Sequence, residues 1–424
     1  MNTFFSKIKI IWQDRSLRNR LIVMFGLLIA FRLLATIPVP GVDVARLHSF
    51  LANNQFFGIL NLFSGGGLST LSIIMLGVGP YITASIIMQL LTMMSPRLKA
   101  LNQEEGEAGR KMFAQYSRII AVPLALLQGF GLILLLQKQG IFGTLNHVQL
   151  MTSLIVVTAG SIALMWIGEV MTEYGISNGI SIIIFAGIVA ALPTHISQAL
   201  FTFDISQLPF FILFVVLGLL LIIGVVLITE AERPIPVTYA RQVRGNGQSG
   251  SDSTYIPLRV NQAGVIPIIF ALSLLLLPQL LGNLINSFAH NSVLLSIGHA
   301  LAGFSQTSLL YGVLYFVLVF VFTYFYTAVT FDPHQMAENL QKGGAFIPGI
   351  RPGASTEEYV GKVVTRITLV GALFLGVIAV LPLIVRAITG ITSIALGGTA
   401  LLIVVSVILD LIKRVDAQIS MHEY

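Results

Sequence analysis

The sequence predicts an all-α membrane protein with ten transmembrane helices, and three observations lead to that fold class. Hydrophobic residues make up 55% of the 424 residues, and the mean hydropathy is +0.89. Only 10% of the residues are charged, whereas a soluble domain carries about 25%. The apolar residues also form runs close to the roughly 20 residues that cross a bilayer core. Helices are expected because lipid requires every backbone polar group to be satisfied within the segment.

Ten apolar runs are the candidate spans, and the fifth of them is the shortest. A basic amino terminus precedes the first run, as in a signal peptide. We expect that helix to be retained, because the run ends in Ile37-Pro38-Val39-Pro40-Gly41 without a small-x-small cleavage site. The runs are 21–38, 78–94, 119–136, 151–167, 179–192, 208–228, 263–281, 309–329, 367–384 and 393–412.

Lysine and arginine are distributed unequally between the two sides of this ten-span arrangement. The termini and the loops after even-numbered runs share one side, which carries 20 basic residues. The other side carries Arg46, Lys138 and Arg386, and Arg32 lies within the first run. The positive-inside rule then places both termini and two long polar loops, 230–262 and 332–362, in the cytoplasm. These basic loops are either simple tethers or docking surfaces for a cytoplasmic partner.

Two segments that contain glycine and proline indicate an internal repeat. Residues 77–80, of sequence GVGP, open the second run, and residues 264–267, of sequence GVIP, open the seventh. Such interruptions at corresponding places are typical of inverted repeats with a pathway between the halves, although chance also produces them. We predict two pseudo-symmetric inverted five-helix halves, 21–204 and 205–415, with cytoplasmic segments 1–20 and 416–424.

The sequence carries no convincing catalytic or metal-binding signature. No lysine is followed by Ser or Thr, so a Walker A loop is missing. Residues 245–250 fit G-x-G-x-x-G but follow no predicted strand and open no helix, and the seven histidines lack metal-ligand spacing. Cysteine is absent, which excludes disulfides and thiol chemistry. We therefore expect no enzyme, no cofactor and no metal.

Few ionisable residues lie in or beside the predicted spans. They are Arg32, Glu169 and Asp410, and the last two are near cytoplasmic ends where they can reach water. Pumps and symporters usually need more such groups along their path. The sequence therefore favours a passive path whose energy comes from elsewhere.

Residues 61–76 are apolar and glycine-rich but too short to span a bilayer. Non-helical backbone at membrane depth is tolerated only inside protein or against a water-filled cavity. The segment is therefore either a re-entrant element inside a funnel or an external loop that lies on the surface.

Eight further motifs occur in order between about residues 20 and 415, and together they are much more specific than any of the short patterns above. The motifs are NLFSGG (61–66), PYITASII (80–87), EGEAGR (105–110), WIGE (166–169), GISNGIS (175–181), NQAGVIP (261–267), GGAFIPGIRPG (343–353) and GGTALLIVV (397–405). In this order they resemble signatures of the SecY family of bacterial protein-export channels.

The resemblance implies an hourglass-shaped channel built from the two halves. Unfolded secretory polypeptides would cross it, and apolar segments would leave sideways into lipid. A plug at residues 61–76 would fill the outer funnel at rest, and an aliphatic ring would block ions by dewetting. Without the resemblance, ordinary helix packing would explain the ring residues better. The implied plug residues are Asn61, Phe63, Ser64, Gly65, Gly66, Gly67 and Leu68, and the implied ring residues are Val78, Ile82, Ile180, Ile184, Ile269 and Ile403.

The resemblance also implies a lateral gate between the second and seventh helices, with a polar contact from the third. Single polar residues on helices are also common in local packing, so that interpretation stays open. Basic residues of the long cytoplasmic loops would contact the SecA motor ATPase or the ribosome. The implied gate residues are Thr83, Ile86, Ile87, Gln89, Gln128, Ser273 and Leu277, and the implied docking residues are Arg241, Arg244 and Arg351.

Further expectations concern partners and location. The resemblance implies assembly with the small SecE and SecG subunits and contact with signal sequences, secretory precursors and membrane lipids. Ribosomal RNA is the only nucleic acid that such a chain would meet. The implied location is the bacterial plasma membrane, and a plastid-encoded relative is the alternative.

The sequence departs from the family pattern in three places. Asn246-Gly247 occupies a loop tip where paired basic residues are common, which bears on the strength of partner docking there. Val78 and Gly79 are smaller than the usual residues of the constriction motif, which predicts a wider or more flexible ring. The tail after the tenth run is also short. Two other functions remain open: an inverted-repeat transporter of a small solute and a non-conducting membrane scaffold.

Overall fold

The computed structural model describes residues 13–40, 61, 64–103, 105–138, 140–142, 146–201, 208–239, 254–288, 291–303, 309–389 and 392–422. Most of these residues are helical. The helices are α1 (Arg15–Leu34), α2 (Gly79–Met94), α3 (Pro96–Gln103), α4 (Gly106–Lys138), α5 (His147–Tyr174), α6 (Gly179–Phe201), α7 (Leu208–Glu230), α8 (Ile266–Phe288), α9 (Ser292–Ala302), α10 (Leu309–Thr330), α11 (Pro333–Lys342), α12 (Ala354–Thr389) and α13 (Thr392–His422).

Each of the ten predicted apolar runs overlaps one of these helices, and the differences lie at the ends. α1 stops at Leu34, short of the predicted end at residue 38. Pro38 explains the early stop, because its ring would clash with the carbonyl of Leu34 in a continued helix. α6, in contrast, continues through Pro193 to Phe201, beyond the predicted end at residue 192. The fifth run was therefore predicted too short, because Pro193 does not end the helix.

Four helical stretches in the described part of the chain are long and apolar enough to cross a membrane, judged by length and composition. They are Gly106–Gln137, His147–Tyr174, Leu309–Lys342 and Ala354–Val385. Shorter apolar helices accompany them at Gly79–Met94, Gly179–Pro193, Val215–Glu230, Ile266–Gln279 and Ser292–Ala302. By length and composition, four stretches of the described residues thus qualify as spans, whereas the hydropathy pattern of the sequence predicts ten.

The second and eighth helices begin in the same way. Gly77 has φ 60° and Gly264 has φ 61°, and each precedes a helix whose first turn contains a proline, Pro80 in α2 and Pro267 in α8. Glycine adopts this left-handed conformation at no steric cost, and proline fits the first helical positions because its missing N–H is not needed there. The repeated sequence pattern therefore corresponds to a repeated backbone turn.

The two long polar loops contain a small sheet, which the all-α prediction did not include. β1 (Glu232–Tyr239) is the central strand between β2 (Thr254–Arg259) and β3 (Ala345–Phe346), and both pairings are antiparallel. Ile235 and Val237 alternate with exposed residues and are buried against α11 and the start of α12. The two loops therefore pack together through one shared apolar cluster and are more than tethers.

Buried apolar residues form one large cluster that draws on nine of the ten longer helices. Its members come from α1, α2, α5, α6, α7, α8, α10, α12 and α13. A second cluster joins α4 and α5 to the glycine-rich segment that precedes α2. The predicted ring residues belong to or pack against the first cluster, and the glycine-rich segment contributes residues to both clusters.

Candidate functional site

The six predicted ring residues lie in the large apolar cluster. Val78 is the residue before α2 and Ile82 lies in its first turn, while the other four come from α6, α8 and α13. Five of the six are buried, and Ile180 is half-buried and packed against the same cluster. Because the side chains are branched and aliphatic, they offer water no hydrogen-bond partner. In general, a constriction lined by apolar side chains excludes ions by dewetting.

Asn61 and residues 64–76 are the described part of the predicted plug, and together with Gly77 they are called the plug segment below. Leu68, Leu71, Ile74 and Met75 are fully buried. Ile74 belongs to the same cluster as the ring residues, and Leu68, Leu71 and Met75 pack against α4 and α5. This burial favours the re-entrant alternative over a loop on the surface. Phe63 lies outside the described residues.

Hydrogen bonds fold the plug segment onto itself. The Leu68 amide donates to Ser64 Oγ at 3.0 Å, and the Ser69 amide donates to Asn61 Oδ1 at 3.0 Å. Ser72 Oγ donates to the carbonyl of Gly67 at 3.0 Å. Asn61 and Ser64 thus satisfy backbone groups that neither a helix nor a sheet would satisfy here.

Other hydrogen bonds attach the plug segment to the surrounding helices. The Val39 amide donates to the Leu71 carbonyl at 2.8 Å, and the Ile73 amide donates to the Ile37 carbonyl at 2.9 Å. At its other end, Ser161 Oγ on α5 donates to the buried Gly77 carbonyl at 2.8 Å. The segment is therefore held by a few bonds and by apolar packing, both of which can be broken reversibly.

Close backbone contacts at two helical glycines were missed by the sequence prediction. A Cβ on Gly187 of α6 would overlap the Cα of Gly65, and a Cβ on Gly160 of α5 would overlap the carbonyl oxygen of Ile73. Isolated glycine inside an apolar helix costs about 1 kcal/mol relative to alanine, so each position has to be explained. That cost is the signal that could have revealed these contacts.

The predicted gate residues lie on three helices that contact one another, α2, α4 and α8. Gln128 Nε2 of α4 donates to Thr83 Oγ1 of α2 at 3.5 Å, a long bond, and Thr83 Oγ1 itself donates to the Gly79 carbonyl at 3.0 Å. Ser273 on α8 is buried in the same region, and Ile86 of α2 belongs to the apolar cluster that includes α8. Apolar side chains of α2 and α8 therefore share one cluster, while the Gln128–Thr83 bond joins α4 to α2.

Gln89 is the least well satisfied of the gate residues. Its Nε2 donates to Ser85 Oγ on the same helix at 3.5 Å, while its Oε1 is buried and has no hydrogen-bond partner among the described residues. Polar bonds between helices in membranes contribute only about 0.6 kcal/mol on average. The Gln89 bond to Ser85 lies within α2 and does not join α2 to another helix.

Two of the three charged residues noted in the predicted spans have partners. Arg118 Nε donates to Glu169 Oε1 at 2.7 Å. Asp410 Oδ2 accepts hydrogen bonds from Ser177 Oγ at 2.6 Å and from Arg414 Nε at 2.9 Å. The contact of Ser177 with Asp410 joins the α5–α6 connection to α13. Glu169 therefore joins α5 to α4, and Asp410 joins α13 to the α5–α6 connection.

Arg351 is exposed in a turn framed by glycine and proline. Gly349 and Gly353 have φ 82° and φ 100°, and the Arg351 carbonyl accepts a hydrogen bond from Thr356 Oγ1 at 2.9 Å. The backbone is thus fixed while the guanidinium remains accessible. The other two docking residues, Arg241 and Arg244, lie outside the described residues, as does Asn246-Gly247. A search of the described residues finds no group of three or more side chains suited to hold a metal ion.

A family model described as SecY matches residues 72–412. Protein translocase subunit SecY of Corynebacterium glutamicum is 41% identical over 440 residues, which cover 97% of this chain and 97% of the relative. The subunit of the same name from Thermus thermophilus is 43% identical over 433 residues, which cover 98% of this chain and 97% of the relative. The similarity thus extends over nearly the full length of both relatives.

Solved structures resemble the fold at lower sequence identity. One described as the structure of a protein conducting channel has a TM-score of 0.67 at 18% identity and covers 95% of this chain and 92% of that chain. One described as showing that the plug domain of SecY stabilises the closed state of the translocation channel has a TM-score of 0.67 at 19% identity, with the same coverage. Sec61 in a canine ribosome-channel complex has a TM-score of 0.62 at 18% identity, again with 95% and 92% covered. These identities support the fold alone.

Proposed function

Since the chain belongs to the SecY family, we propose that it is the pore-forming subunit of a channel that conducts unfolded polypeptides across a membrane and releases apolar segments sideways into lipid. One observation carries the proposal: the chain matches protein translocase subunits at 41% and 43% identity over almost its whole length. The chain acts as a channel subunit and not as an enzyme. None of the reported relatives supports the alternative of a solute transporter.

We infer a ten-span topology of two inverted halves, 21–204 and 205–415, with both termini in the cytoplasm. The 20 to 3 distribution of basic residues supports this orientation, and the matched turns at Gly77 and Gly264 support the repeat. A bacterial plasma membrane is the proposed location, because both relatives come from bacteria.

The resting channel is sealed by two elements in this proposal. Val78, Ile82, Ile184, Ile269 and Ile403, together with the half-buried Ile180, form the apolar ring, and the plug segment covers it through Ile74. The shared apolar cluster supports this assignment, because it contains both Ile74 of the plug segment and five of the six ring residues. Hydrophobic contact is non-directional, so the same ring can close around any passing chain without recognising its sequence.

Lateral exit takes place between α2 and α8 in this proposal. The supporting observation is the contact of α2 with α8, to which Ile86 and several buried residues of α8 contribute as members of one apolar cluster. An apolar signal sequence can replace the apolar contacts of the seam with contacts of its own. Polar bonds between helices in membranes are also individually weak.

Energy comes from a cytoplasmic partner, either the SecA motor ATPase or a translating ribosome. A ribosome as partner is supported by the similarity of the fold to that of Sec61, which is described in a ribosome-channel complex. Arg351, exposed on the sheet-containing cytoplasmic loops, is the docking residue that the structure describes. The small SecE and SecG subunits complete the proposed complex.

Reconstituted translocation tests the proposed function. The chain is purified with its co-purifying small subunits, placed in vesicles and supplied with motor, ATP and a secretory precursor. We expect precursor to become protected from added protease only when its signal sequence is intact. Protection that is the same with and without the chain would reject the proposal.

A further inference from the structure

We propose that three prolines prevent the cytoplasmic sheet from capturing unfolded precursor polypeptides as added strands while they enter the channel. The prolines are Pro234 and Pro236 of β1 and Pro257 of β2. The inference rests on the proposed function, because it takes unfolded polypeptides as the molecules that pass the sheet. Three observations carry it: the hydrogen-bond register of the strands, the missing donors at their edges and the position of the sheet beside two channel helices.

The register of β1 and β2 determines which backbone groups face outward. The Val260 amide donates to the Ala231 carbonyl at 2.9 Å, and these two residues continue the register of the strand pair. Hydrogen-bonded and non-hydrogen-bonded pairs alternate along an antiparallel ladder. The N–H and C=O groups of every second residue therefore face away from the partner strand. Those residues are Glu232, Pro234, Pro236 and Thr238 in β1 and Tyr255, Pro257 and Arg259 in β2.

Both edges of the sheet lack amide donors at outward-facing positions. In the described part of the chain no strand pairs with the outer edge of β2, and the central outward residue of that edge is Pro257. On the other side of β1, β3 pairs only with Thr238 and Tyr239, so Pro234 and Pro236 lie beyond the end of β3. Proline has no N–H, so an approaching strand finds carbonyl acceptors at these positions but no donor. An added strand would therefore lose hydrogen bonds along either edge.

Tolerance of proline does not account for this arrangement by itself. Proline is confined to edge positions of sheets, which explains where it can stand. It does not explain why two strands of eight and six residues contain three prolines, since proline is depleted in strands. The three side chains are exposed and are not part of the apolar cluster beneath the sheet, so packing does not require them. Prolines on an edge strand are a known means of preventing its pairing with another chain.

The position of the sheet indicates which chain is excluded. β1 begins directly after α7, and β2 ends shortly before α8. Ile269 of the proposed ring lies in the first turn of α8. Under the proposed topology the sheet is thus beside the cytoplasmic entrance, where precursors arrive unfolded with their own N–H and C=O groups exposed. A precursor held at this edge by a row of hydrogen bonds would be delayed in transit.

Substitution of Pro257 tests the proposal in the assembled channel. Pro257→Val restores an amide donor at the centre of the outer edge of β2 and adds a side chain that favours strands. Two precursors with intact signal sequences are exported into reconstituted vesicles. One carries a mature segment of alternating Val and Thr, and the other carries the same segment interrupted by prolines.

The variant should discriminate between these precursors, and the wild type should not. We expect Pro257→Val to export the uninterrupted precursor about fivefold more slowly than the wild type, the change that one further backbone hydrogen bond makes in an equilibrium. Export of the interrupted precursor should be unchanged. Pro236→Val restores a donor on the other edge and should give the same result, so the test does not depend on the yield of one variant.

Crosslinking shows where the precursor is held. Tyr255 is 63% exposed and its backbone faces the outer edge of β2, so p-benzoylphenylalanine in its place can react with an added strand. Uninterrupted precursor, arrested in the channel by a folded carboxy-terminal domain, should crosslink to position 255 more strongly in Pro257→Val than in the wild type. Ile256→Val is the control, because the Ile256 amide faces β1 and its substitution leaves the donors of the outer edge unchanged.

The outcomes separate this inference from the channel proposal. If Pro257→Val and Pro236→Val export both precursors as the wild type does and gain no crosslinks, the prolines do not exclude precursors. If the new crosslinks join two copies of the chain instead, the prolines prevent self-association and the inference is overturned. In both cases export by the wild type leaves the channel proposal intact. If the wild type exports neither precursor, the proposed function itself is rejected.

Discussion

Gly187 of α6 and Gly65 of the plug segment are in backbone contact, so that a Cβ on Gly187 would overlap the Cα of Gly65. On its other side, Gly65 lies against the ring of Phe31, where an added Cβ would come within 3.0 Å of Cε2. The plug segment is therefore confined between α1 and α6 without room for one further methyl group. This contact fixes how deeply the plug can enter.

Gly187→Ala should displace the plug from its resting position. The added methyl group has no space unless Gly65 moves, while α6 itself gains about 1 kcal/mol of helix propensity. We expect a folded complex whose resting channel leaks ions more than the wild type, measured as single-channel current or ion efflux from vesicles. Gly218→Ala on α7 is the matched control, because the nearest atom to its Cβ is 3.9 Å away. If Gly187→Ala leaks no more ions than Gly218→Ala, the plug assignment is contradicted.

The sequence selected a set of candidate ring residues, which the structure places in or against one apolar cluster, but it did not predict the backbone contacts that hold the plug segment. Periodicity identified helices, and the family resemblance selected Val78, Ile269 and Ile403 among many similar aliphatics. The cost of glycine in an apolar helix marks Gly187 as a position that needs an explanation, but it does not identify Gly65 as the partner, because glycine has no side chain to indicate one. The sheet was missed for a related reason: β1 pairs with β3 across a separation of about 100 residues, and its proline content disfavours a strand.

Gln128→Leu should make the lateral gate harder to open. The substitution removes a buried amide with a bond of 3.5 Å, and Thr83 keeps its own bond to the Gly79 carbonyl. Burying an imperfectly bonded amide costs at least about 1 kcal/mol, so the closed gate should gain roughly that amount. We expect a stricter requirement for apolar signal sequences, measured by export of precursors with graded signal hydrophobicity. Gln137→Leu, on the opposite face of the same helix, should leave the signal hydrophobicity required for export unchanged. If both variants raise that requirement equally, Gln128 has no special role in the gate.

Arg351→Glu should slow translocation driven by the motor and leave the complex assembled. Charge reversal at a docking site removes attraction and adds repulsion, and Arg351 is exposed on a fixed turn. Export into vesicles and motor affinity are measured together. Lys362→Glu makes the same change at an exposed lysine whose partner is Glu358 on its own helix. If Arg351→Glu matches the wild type, or if Lys362→Glu is equally impaired, the turn is not a specific docking site.

Labelling of single cysteines should report both termini as cytoplasmic. Lys342 is exposed in the proposed cytoplasmic loops, and His147 and Ser292 are exposed at the opposite ends of spans. These sites avoid Gly344, whose φ of 67° a side chain would strain, and Asn146, whose side chain caps α5. An impermeant reagent added outside intact cells should label His147→Cys and Ser292→Cys but not Lys342→Cys. Labelling of Lys342→Cys but not of the other two variants would show that the topology is the opposite of the proposed one.

Ile403→Asn should loosen the closed ring without unfolding the channel. Ile403 is buried in the cluster that contains the other ring residues and Ile74 of the plug segment. An apolar constriction excludes ions because a continuous water column through it is unfavourable, and an amide side chain weakens that barrier by binding water. The same amide wets the surface against which Ile74 packs, so plug and ring should loosen together.

The resting Ile403→Asn channel should therefore conduct ions and accept precursors with defective signal sequences. Ile408→Asn provides the control, because Ile408 lies about 140° around the same helix and is 38% exposed. Ion current and export of a precursor with a mutated signal sequence distinguish a ring from ordinary packing. A packing defect would lower the yield of complex without a leak. A well-folded Ile403→Asn channel that stays ion-tight and strict about signal sequences would show that Ile403 is not part of the constriction.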